Sequence, residues 1–312
     1  MSKPTVLCVA GPTASGKSAL GMALAQALHG EIVCMDSMQI YRRMDIGTAK
    51  PTAEDRSSVP HYLVDIREPD EAYSVAQYAQ DAKQAILDIH NRGRVPILVG
   101  GTGFYLRALT HGLSLGNIPS DPQLRERLKA EAQDPEGRRC LHNRLKAVDP
   151  VSAERLHEND ITRVSRALEV YELTGVPISA QEQPAYDSPF AFRILGTELD
   201  RAALYRRIDA RVDDMMAAGL LLEVKALLDS GISPQAQAMQ GIGYKELVPV
   251  LLDEYPLEAA IADIKRNSRH YAKRQLTWFR RDDAVYWLDM ATPSAYTKAL
   301  DTAKAFLEGT DI

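Results

Sequence analysis

The feature that most constrains the fold is the octapeptide GPTASGKS, which directly follows the apolar run TVLCVA near the start of the chain. It fits the pattern G-x-x-x-x-G-K-[ST] at every defined position. In such a loop the glycines let backbone N–H groups face a phosphate, the lysine supplies positive charge, and the serine hydroxyl can reach a magnesium ion. The motif therefore predicts a buried strand, a phosphate-binding loop and a helix. The loop consists of Gly11, Pro12, Thr13, Ala14, Ser15, Gly16, Lys17 and Ser18.

The segments after this loop alternate between strand-like and helix-like patterns. The first helix is predicted to begin near Lys17 and to end at Gly30. Ser74, with Gln77 three residues later, has the spacing of a capping box and opens a helix that stops at Gly93. Four further apolar segments predict strands: EIVCMD (31–36), VPILVGG (95–101), RILGTEL (193–199) and AVYWLD (284–289). Such alternation predicts βαβ units and a doubly wound parallel sheet.

Ligands of parallel sheets bind at the carboxyl ends of the strands. The first three predicted strands there end in GPTASGKS, DSMQIYR and GGTG, so these three stretches are expected to converge. An NTPase usually adds a Walker-B acid at the end of a strongly apolar strand, but VPILVGG is followed by Thr102. Asp36 is the acid at a strand end. It is predicted either to accept a proton from a nucleophile beside the phosphate site, or to serve as a helix cap or an outer magnesium ligand.

The chain changes character from about Leu113. A turn-rich connector, LSLGNIPSDP, leads into a charged, helix-periodic segment that has no strand signals. We therefore predict a helical insertion over 113–190. Residues 1–112 and 191–312 are predicted to form an α/β core with a mainly helical C-terminal part.

The distribution of charge bears on the partner. The formal net charge is −5, which by itself argues against a nucleic-acid ligand, but KRNSRHYAKRQLTWFRR (265–281) holds seven Lys or Arg residues and no acid. Interleaved aromatic residues are typical of surfaces where bases stack and phosphates are bound. The alternative is a solvated basic helix with its aromatic residues in the core. Arg207 and Arg211 likewise leave two interpretations open: contact with a substrate, or pairing with surface acids such as Asp209 or Asp213.

The sequence has no apolar run near 18 residues and no secretory layout at its N-terminus, so we expect a cytoplasmic protein without membrane contact. Three widely spaced cysteines show no metal-binding spacing, which argues against disulfides and zinc.

Seven motifs, taken in order, resemble those of the bacterial tRNA dimethylallyltransferases. They are GPTASGKS (11–18), DSMQIYR (36–42), GTAKP (47–51), GGTGFYL (100–106), RIDARVD (207–213), GIGYKE (241–246) and KRQLTWFR (273–280). The resemblance implies a P-loop NTPase-like core with a helical insertion. It also implies transfer of a dimethylallyl group from its diphosphate to N6 of the adenosine 3′ to the anticodon, in tRNAs reading codons that begin with U. The adenosine must leave its stack, because a stacked base cannot present N6 to an enclosed electrophile.

The resemblance also implies a role for each matching residue. Thr13, Ser15, Gly16, Lys17 and Ser18 are implied to hold the diphosphate with Mg²⁺, at which Ser18 is the metal ligand. Asp36 is implied to be the general base, and Thr102 and Arg211 to stabilise the leaving diphosphate. The implied tRNA contacts are Asp36, Ser37, Met38, Gln39, Thr102, Arg125, Asp160, Ile161, Thr162, Arg163, Val164, Gly241, Ile242, Gly243, Tyr244, Lys245, Glu246, Arg274, Gln275, Leu276, Thr277, Trp278, Phe279, Arg280 and Arg281.

We therefore expect a monomeric, Mg²⁺-dependent enzyme with tRNA and dimethylallyl diphosphate as substrates. Three other functions are considered. The first is a prenyltransferase that acts on free adenine nucleotides, and the second is a small-molecule kinase of the shikimate-kinase type that binds ATP in the loop. The third is an RNA-binding module without catalysis. The basic segment and the insertion favour tRNA over a free nucleotide.

Overall fold

A computed structural model describes residues 3–112, 120–181 and 187–310 of the 312-residue chain. Most of the predicted connector, residues 113–119, lies outside the described residues. The chain divides into two compact units, one of residues 1–111 and 188–312 and one of residues 112–187. Among the described residues, no helix is long and apolar enough to cross a membrane.

The larger unit is built on one sheet of six parallel strands. In chain order they are β1 (Thr5–Ala10), β2 (Gly30–Cys34), β3 (His61–Tyr62), β4 (Val95–Gly100), β5 (Ala191–Glu198) and β6 (Val285–Asp289). Their order across the sheet is β3-β2-β4-β1-β5-β6. The predicted doubly wound parallel sheet is therefore confirmed.

Helices connect these strands and follow the last one. Those before the insertion are α1 (Lys17–Ala27), α2 (Ala53–Ser58), α3 (Val75–Asn91) and α4 (Gly103–Arg107), the last continued by a π-helical turn, Ala108–Gly112. Those of the smaller unit are α5 (Pro122–Glu131), α6 (Pro135–Val148), α7 (Pro150–Arg155) and α8 (Ile161–Thr174), followed by a 3₁₀ turn, Ile178–Ala180. The remainder are α9 (Arg201–Ala217), α10 (Leu220–Asp229), a 3₁₀ turn at Ala238–Gln240, α11 (Tyr244–Leu251), α12 (Leu257–Phe279) and α13 (Ala295–Leu307).

The sheet is covered on both faces, which explains why its central strand β1 is apolar from Val6 to Ala10. In β1, Val6 and Cys8 belong to the core on one face of the sheet, whereas Leu7 and Val9 belong to the core on the other. Because successive side chains of a strand point to opposite faces, a strand buried on both sides has no polar positions.

Two local predictions can be compared with the structure, which also contains a strand that the sequence did not predict. The capping box is confirmed: the Ser74 hydroxyl accepts a hydrogen bond from the Gln77 N–H, and the Gln77 side chain accepts one from the Ser74 N–H. The predicted end of the first helix at Gly30 is wrong. The helix ends at Ala27, and Gly30 is the first residue of β2. Glycine fits at this position because a Cβ atom there would lie 2.7 Å from the Ile97 side chain. Strand β3 was missed because it has only two residues, both partly polar.

The smaller unit is helical and has a core of its own. Asp121, Asp134, Asp149 and Asp160 each accept a backbone N–H as an N-cap, which is a preferred role of aspartate. Its buried side chains are Leu128, Ala132, Leu141, Leu145, Ala153, Val164, Ala167 and Leu168.

Candidate active site

Three loops meet at the carboxyl edge of the sheet because β2, β4 and β1 are neighbours. The loops border a cavity of about 610 Å³ in the larger unit. The polar side chains that line it include those of Thr13, Lys17, Ser18, Asp36, Arg211 and Tyr271. The predicted convergence of the phosphate loop with the end of β2 is therefore confirmed, and α9 and α12 complete the wall.

The phosphate loop is hydrogen-bonded to β5 and packs closely against it. The Ser15 hydroxyl is fully buried, lies 2.6 Å from the Thr197 hydroxyl and donates to the Pro12 carbonyl. A Cβ atom at Gly11 would lie 2.2 Å from the same Thr197 hydroxyl, so only glycine fits there. At Gly16, a φ of +96° also favours glycine. The Ser15 hydroxyl therefore faces the sheet.

Two largely buried cations, Lys17 and Arg211, face the cavity. Burial and, to a smaller extent, the Arg211 charge lower the pKa of Lys17 to about 8, against the opposing effect of the Asp36 carboxylate. Burial also lowers the pKa of Arg211, again against the Asp36 carboxylate. The same cavity wall also holds Lys50, Lys245, Arg274 and Asp55, so its basic side chains outnumber its acidic ones. Such an excess of positive charge suits an anionic ligand.

Asp36 and Thr102 are brought together, as the strand ends predicted. Asp36 Oδ1 accepts the Met38 N–H, which leaves Oδ2 directed at other partners. The Thr102 hydroxyl accepts the neighbouring Ser37 N–H at 3.2 Å. Tyr271 lies beside Thr102, and burial together with the Asp36 charge raises its pKa to about 12. The Tyr271 hydroxyl therefore stays protonated and is available as a hydrogen-bond donor.

The glycines of GGTG make room for other parts of the molecule. A Cβ atom at Gly100 would lie 2.0 Å from the Met35 carbonyl oxygen. One at Gly101 would lie 2.2 Å from Gln275 Nε2, and one at Gly103 would lie 2.0 Å from Trp278. The last two glycines thus allow α12 to approach the end of β4, a packing role that the motif alone did not reveal.

Three of the segments implied to contact tRNA contribute to the cavity wall, the last of them, in α12, through Arg274 and Gln275. The other two contribute Ser37, Met38 and Gln39 after β2, and Gly241, Ile242, Gly243 and Lys245 before and within α11. The intervening Tyr244 requires correction: it is buried, and its hydroxyl donates to Glu223 at 2.6 Å. Glu246 is likewise occupied, since it accepts the Gly243 N–H and the Asn267 side-chain amide.

Glu223 is a residue that sequence reasoning missed. Its carboxylate accepts the N–H groups of Asp45, Ile46 and Gly47, which fixes the GTAKP segment on the cavity wall. The sequence offers little indication of this role, because one glutamate in an amphipathic helix does not reveal partners about 177 positions away.

The first half of the basic segment is neutralised. Lys265 pairs with Asp213 at 2.6 Å, and Arg269 pairs with Asp209 at 2.5 Å. Both aspartates lie on α9 and pair with α12, and Arg211 of the same helix lines the cavity.

The second half presents one open face. This face, the outer groove, is lined by His270, Lys273, Arg274, Thr277, Trp278 and Arg281. The spacing of three, four and seven places these residues along one side of α12 and its end. Four other implied tRNA contacts face elsewhere. Phe279 is buried in the core, Leu276 packs on a buried cluster beside α9, Gln275 is buried, and Arg280 pairs with Glu198 at 3.2 Å.

The implied contacts in the smaller unit have local partners. Arg125 pairs with the fully buried Glu169 at 2.8 Å, so it stabilises the unit. Asp160 caps α8 and also pairs with Arg163. Arg163 and Thr162 are exposed, and Ile161 is partly buried. Val164 requires correction, because its side chain lies in the core of this unit.

No group of three or more metal-ligating side chains is found among the described residues. The donors available for Mg²⁺ are the Ser18 hydroxyl and the Asp36 carboxylate, which line the same cavity. Mg²⁺ is usually held by one or two protein oxygens together with substrate phosphates and water, so this small donor set fits the ion.

Comparison with known proteins gives concordant results. Residues 39–282 match the IPP transferase family. The tRNA dimethylallyltransferase of Symbiobacterium thermophilum is 50% identical over 302 residues, which cover 96% of this chain and 94% of that protein. The crystal structure of the full-length tRNA isopentenylpyrophosphate transferase from Bacillus halodurans is 44% identical, with a TM-score of 0.72 over 98% of this chain and 96% of that one. A eukaryotic dimethylallyltransferase, seen crystallographically acting on tRNA, is 31% identical, with a TM-score of 0.79 over 98% of this chain and 80% of that one.

Proposed function

The chain belongs to the IPP transferase family and is a tRNA dimethylallyltransferase, and from that premise we propose how its own residues carry out the reaction. The donor is dimethylallyl diphosphate. The acceptor is N6 of the adenosine 3′ to the anticodon in tRNAs that read codons beginning with U. The observation that carries the proposal is the cavity in which Lys17, Arg211 and Asp36 lie together.

In this proposal the phosphate loop binds the donor by its diphosphate. Lys17 and the backbone N–H groups around Gly16 hold the phosphates, and Arg211 faces them from α9. As the allylic C–O bond breaks, negative charge grows on the bridging oxygen. Cations that are already in place stabilise this charge without reorganisation, which makes diphosphate a good leaving group.

Asp36 acts on the acceptor. The adenosine N6 attacks the allylic carbon, and the proton it loses passes to the Asp36 carboxylate as the C–N bond forms. The Met38 N–H holds one carboxylate oxygen and so orients the other. Thr102, which accepts the Ser37 N–H, holds the adjoining turn beside the cavity.

We further propose that Mg²⁺ accompanies the diphosphate and is held by Ser18. When bound, the ion supplies charge neutralisation on the phosphates. Chelation with EDTA is expected to abolish transfer, and added Mg²⁺ is expected to restore it. Because one chain supplies every group of the cavity, we propose a monomer, testable by light scattering. The proposal includes a cytoplasmic location, since tRNA is the substrate.

The proposal is tested by offering labelled dimethylallyl diphosphate or labelled ATP, each with tRNA and with AMP. Label from the prenyl donor is expected to enter tRNA and not AMP. Incorporation into AMP would support the nucleotide prenyltransferase instead, and phosphate transfer from ATP would support the kinase. A chain that binds tRNA but transfers neither label would be an RNA-binding module.

A further inference from the structure

Gln275 is a buried polar side chain whose hydrogen bonds to two backbone groups join separate parts of the active site. Its Oε1 accepts the Thr13 N–H of the phosphate loop at 2.9 Å. Its Nε2 donates to the Gly101 carbonyl after β4, also at 2.9 Å. Only 6% of the residue is exposed, so the amide is withdrawn from solvent. An amide with both ends engaged in this way fixes the distance between its two partners.

Both of these bonds go to backbone groups, and the Gln275 side chain also hydrogen-bonds with Tyr271. Thr13 and Gln275 line the cavity. Thr13 lies in the phosphate loop, four residues before Lys17, and Gly101 directly precedes Thr102. A side chain at position 101 would lie 2.2 Å from Gln275 Nε2, so the glycine there is required for this contact. Both residues of this contact therefore belong to sequence motifs, the glycine to GGTG and the glutamine to KRQLTWFR.

The helix that carries Gln275 also carries the outer groove. Arg274 and Trp278 line that groove, Arg274 lines the cavity as well, and Gln275 lines only the cavity. Because a helix is a stiff element, the groove and the Gln275 contacts cannot move independently.

We propose that Gln275 is a positioning residue that ties the basic helix to the phosphate loop and to the turn of Thr102. The inference rests on the proposed function and adds to it a cavity-lining residue that acts through the two backbone groups it holds. Without the Gln275 side chain, the phosphate loop and the turn of Thr102 are no longer held at a fixed distance from each other, although each keeps its other hydrogen bonds. Ser15 still holds the loop to β5, and the Thr102 hydroxyl still accepts the Ser37 N–H. The variant is therefore expected to fold.

The test replaces Gln275 by Met, which keeps the length and removes its hydrogen bonds, and by Glu, which keeps the acceptor and loses the donor. Misplacement of reacting groups by about 1 Å costs on the order of 100-fold in rate. We expect kcat of Gln275→Met to fall by roughly that factor, with Gln275→Glu similarly impaired because its carboxylate faces the Gly101 carbonyl. The affinity for inorganic diphosphate, measured by calorimetry, is expected to weaken about tenfold in Gln275→Met.

The decisive readout is tRNA binding without donor, measured across a salt series. For a positioning residue, the tRNA Kd and its salt dependence stay at wild-type values while kcat and diphosphate affinity fall. Arg281→Met, a change in the outer groove, is expected to show the opposite split. If Gln275→Met weakens tRNA binding and leaves diphosphate binding intact, Gln275 is a tRNA contact and the inference is wrong. Unchanged kcat and diphosphate affinity overturn it as well. Both binding measurements need no turnover, so they remain decisive even if the wild-type protein transfers no prenyl group.

Discussion

Helices α9 and α12 lie side by side, and the positive charges they carry have opposite environments. Arg211 of α9 faces the cavity, where burial lowers its pKa and Asp36 is the acid that opposes this effect. Lys265 and Arg269 of α12 instead pair with Asp213 and Asp209 of α9. The exposed fraction of the Lys265 side chain is 25% and that of its partner Asp213 is 61%, so these are surface ion pairs. The run richest in basic residues is therefore partly neutralised, and the isolated arginine is available to an anion.

The geometry of a helix explains the difference. Asp209 and Asp213 are four residues apart and share a face, whereas Arg211 is two residues from each and lies on the opposite side. The aspartates that flank Arg211 in sequence cannot neutralise it and are directed towards α12 instead. The number of basic residues in a stretch of sequence therefore does not show whether an anion binds there. Whether those residues are neutralised depends on the acidic residues of the helix that packs against them.

The largest effect is expected at Asp36, which lies on the cavity side of this comparison. Asp36→Asn keeps an acceptor for the Met38 N–H but cannot take a proton. Loss of a general base lowers kcat by about 10²- to 10⁴-fold. Single-turnover transfer to tRNA measures this, with tRNA affinity expected to stay within a few-fold of wild type. Asp209→Asn is the matched control, since its carboxylate pairs with Arg269 at the surface. Equal losses in both variants would contradict the distinction between cavity and surface acids.

The sequence predicted the cavity side well, because that side is built from local motifs on neighbouring strands. Lys17 and Asp36 lie where a P-loop and a strand end must lie in a parallel sheet. The sequence predicted the basic segment less well, since the partners of Lys265 and Arg269 are 52 and 60 positions away. The inward direction of Gln275 and the burial of Tyr244 and Val164 also depend on tertiary packing, which no short pattern records.

The second prediction replaces one arginine on each side of the comparison. Arg211→Gln removes a cation that faces the proposed leaving group, and loss of one such preorganised group costs about 10²- to 10³-fold in kcat. Arg269→Gln removes a half-exposed ion pair, and pairs of this kind contribute only about 0–1 kcal/mol to stability. We expect its kcat to remain near wild type. Steady-state kinetics with saturating tRNA test both, and a larger loss in Arg269→Gln than in Arg211→Gln would reverse the comparison.

The third prediction concerns stability and pH. The pKa of Lys17 is about 8 in the folded protein, against 10.5 ordinarily, so the unfolded chain binds this proton more tightly. The resulting destabilisation is fully present below about pH 8, and it fades as the pH rises towards the ordinary pKa. Lys17→Met should therefore raise the melting temperature of the ligand-free protein by a few degrees at pH 7, with a smaller gain at pH 10.

The matched control for this prediction is Lys265→Met. Its ammonium group pairs with Asp213 at the surface, so removal is expected to leave the melting temperature unchanged or slightly lower. Calorimetric scans at both pH values provide the measurement. A stability gain in Lys17→Met that is the same at pH 7 and pH 10 would show that packing, and not the charge, is responsible.

The smallest effect is expected from two adjacent arginines at the end of α12. Arg281 lines the outer groove, whereas Arg280 pairs with Glu198 and lies over the Trp287 ring. If the groove binds tRNA phosphates, Arg281→Met reduces the slope of log K against log salt concentration by about 1 and weakens binding equally for different tRNAs. Arg280→Met should leave the slope unchanged, because its charge is already neutralised. Filter binding over a salt series measures both. If instead Arg280→Met lowers the slope and Arg281→Met does not, the expectation is wrong. Pairing of an arginine with an acid in the free protein would then not determine which arginines bind the tRNA phosphates.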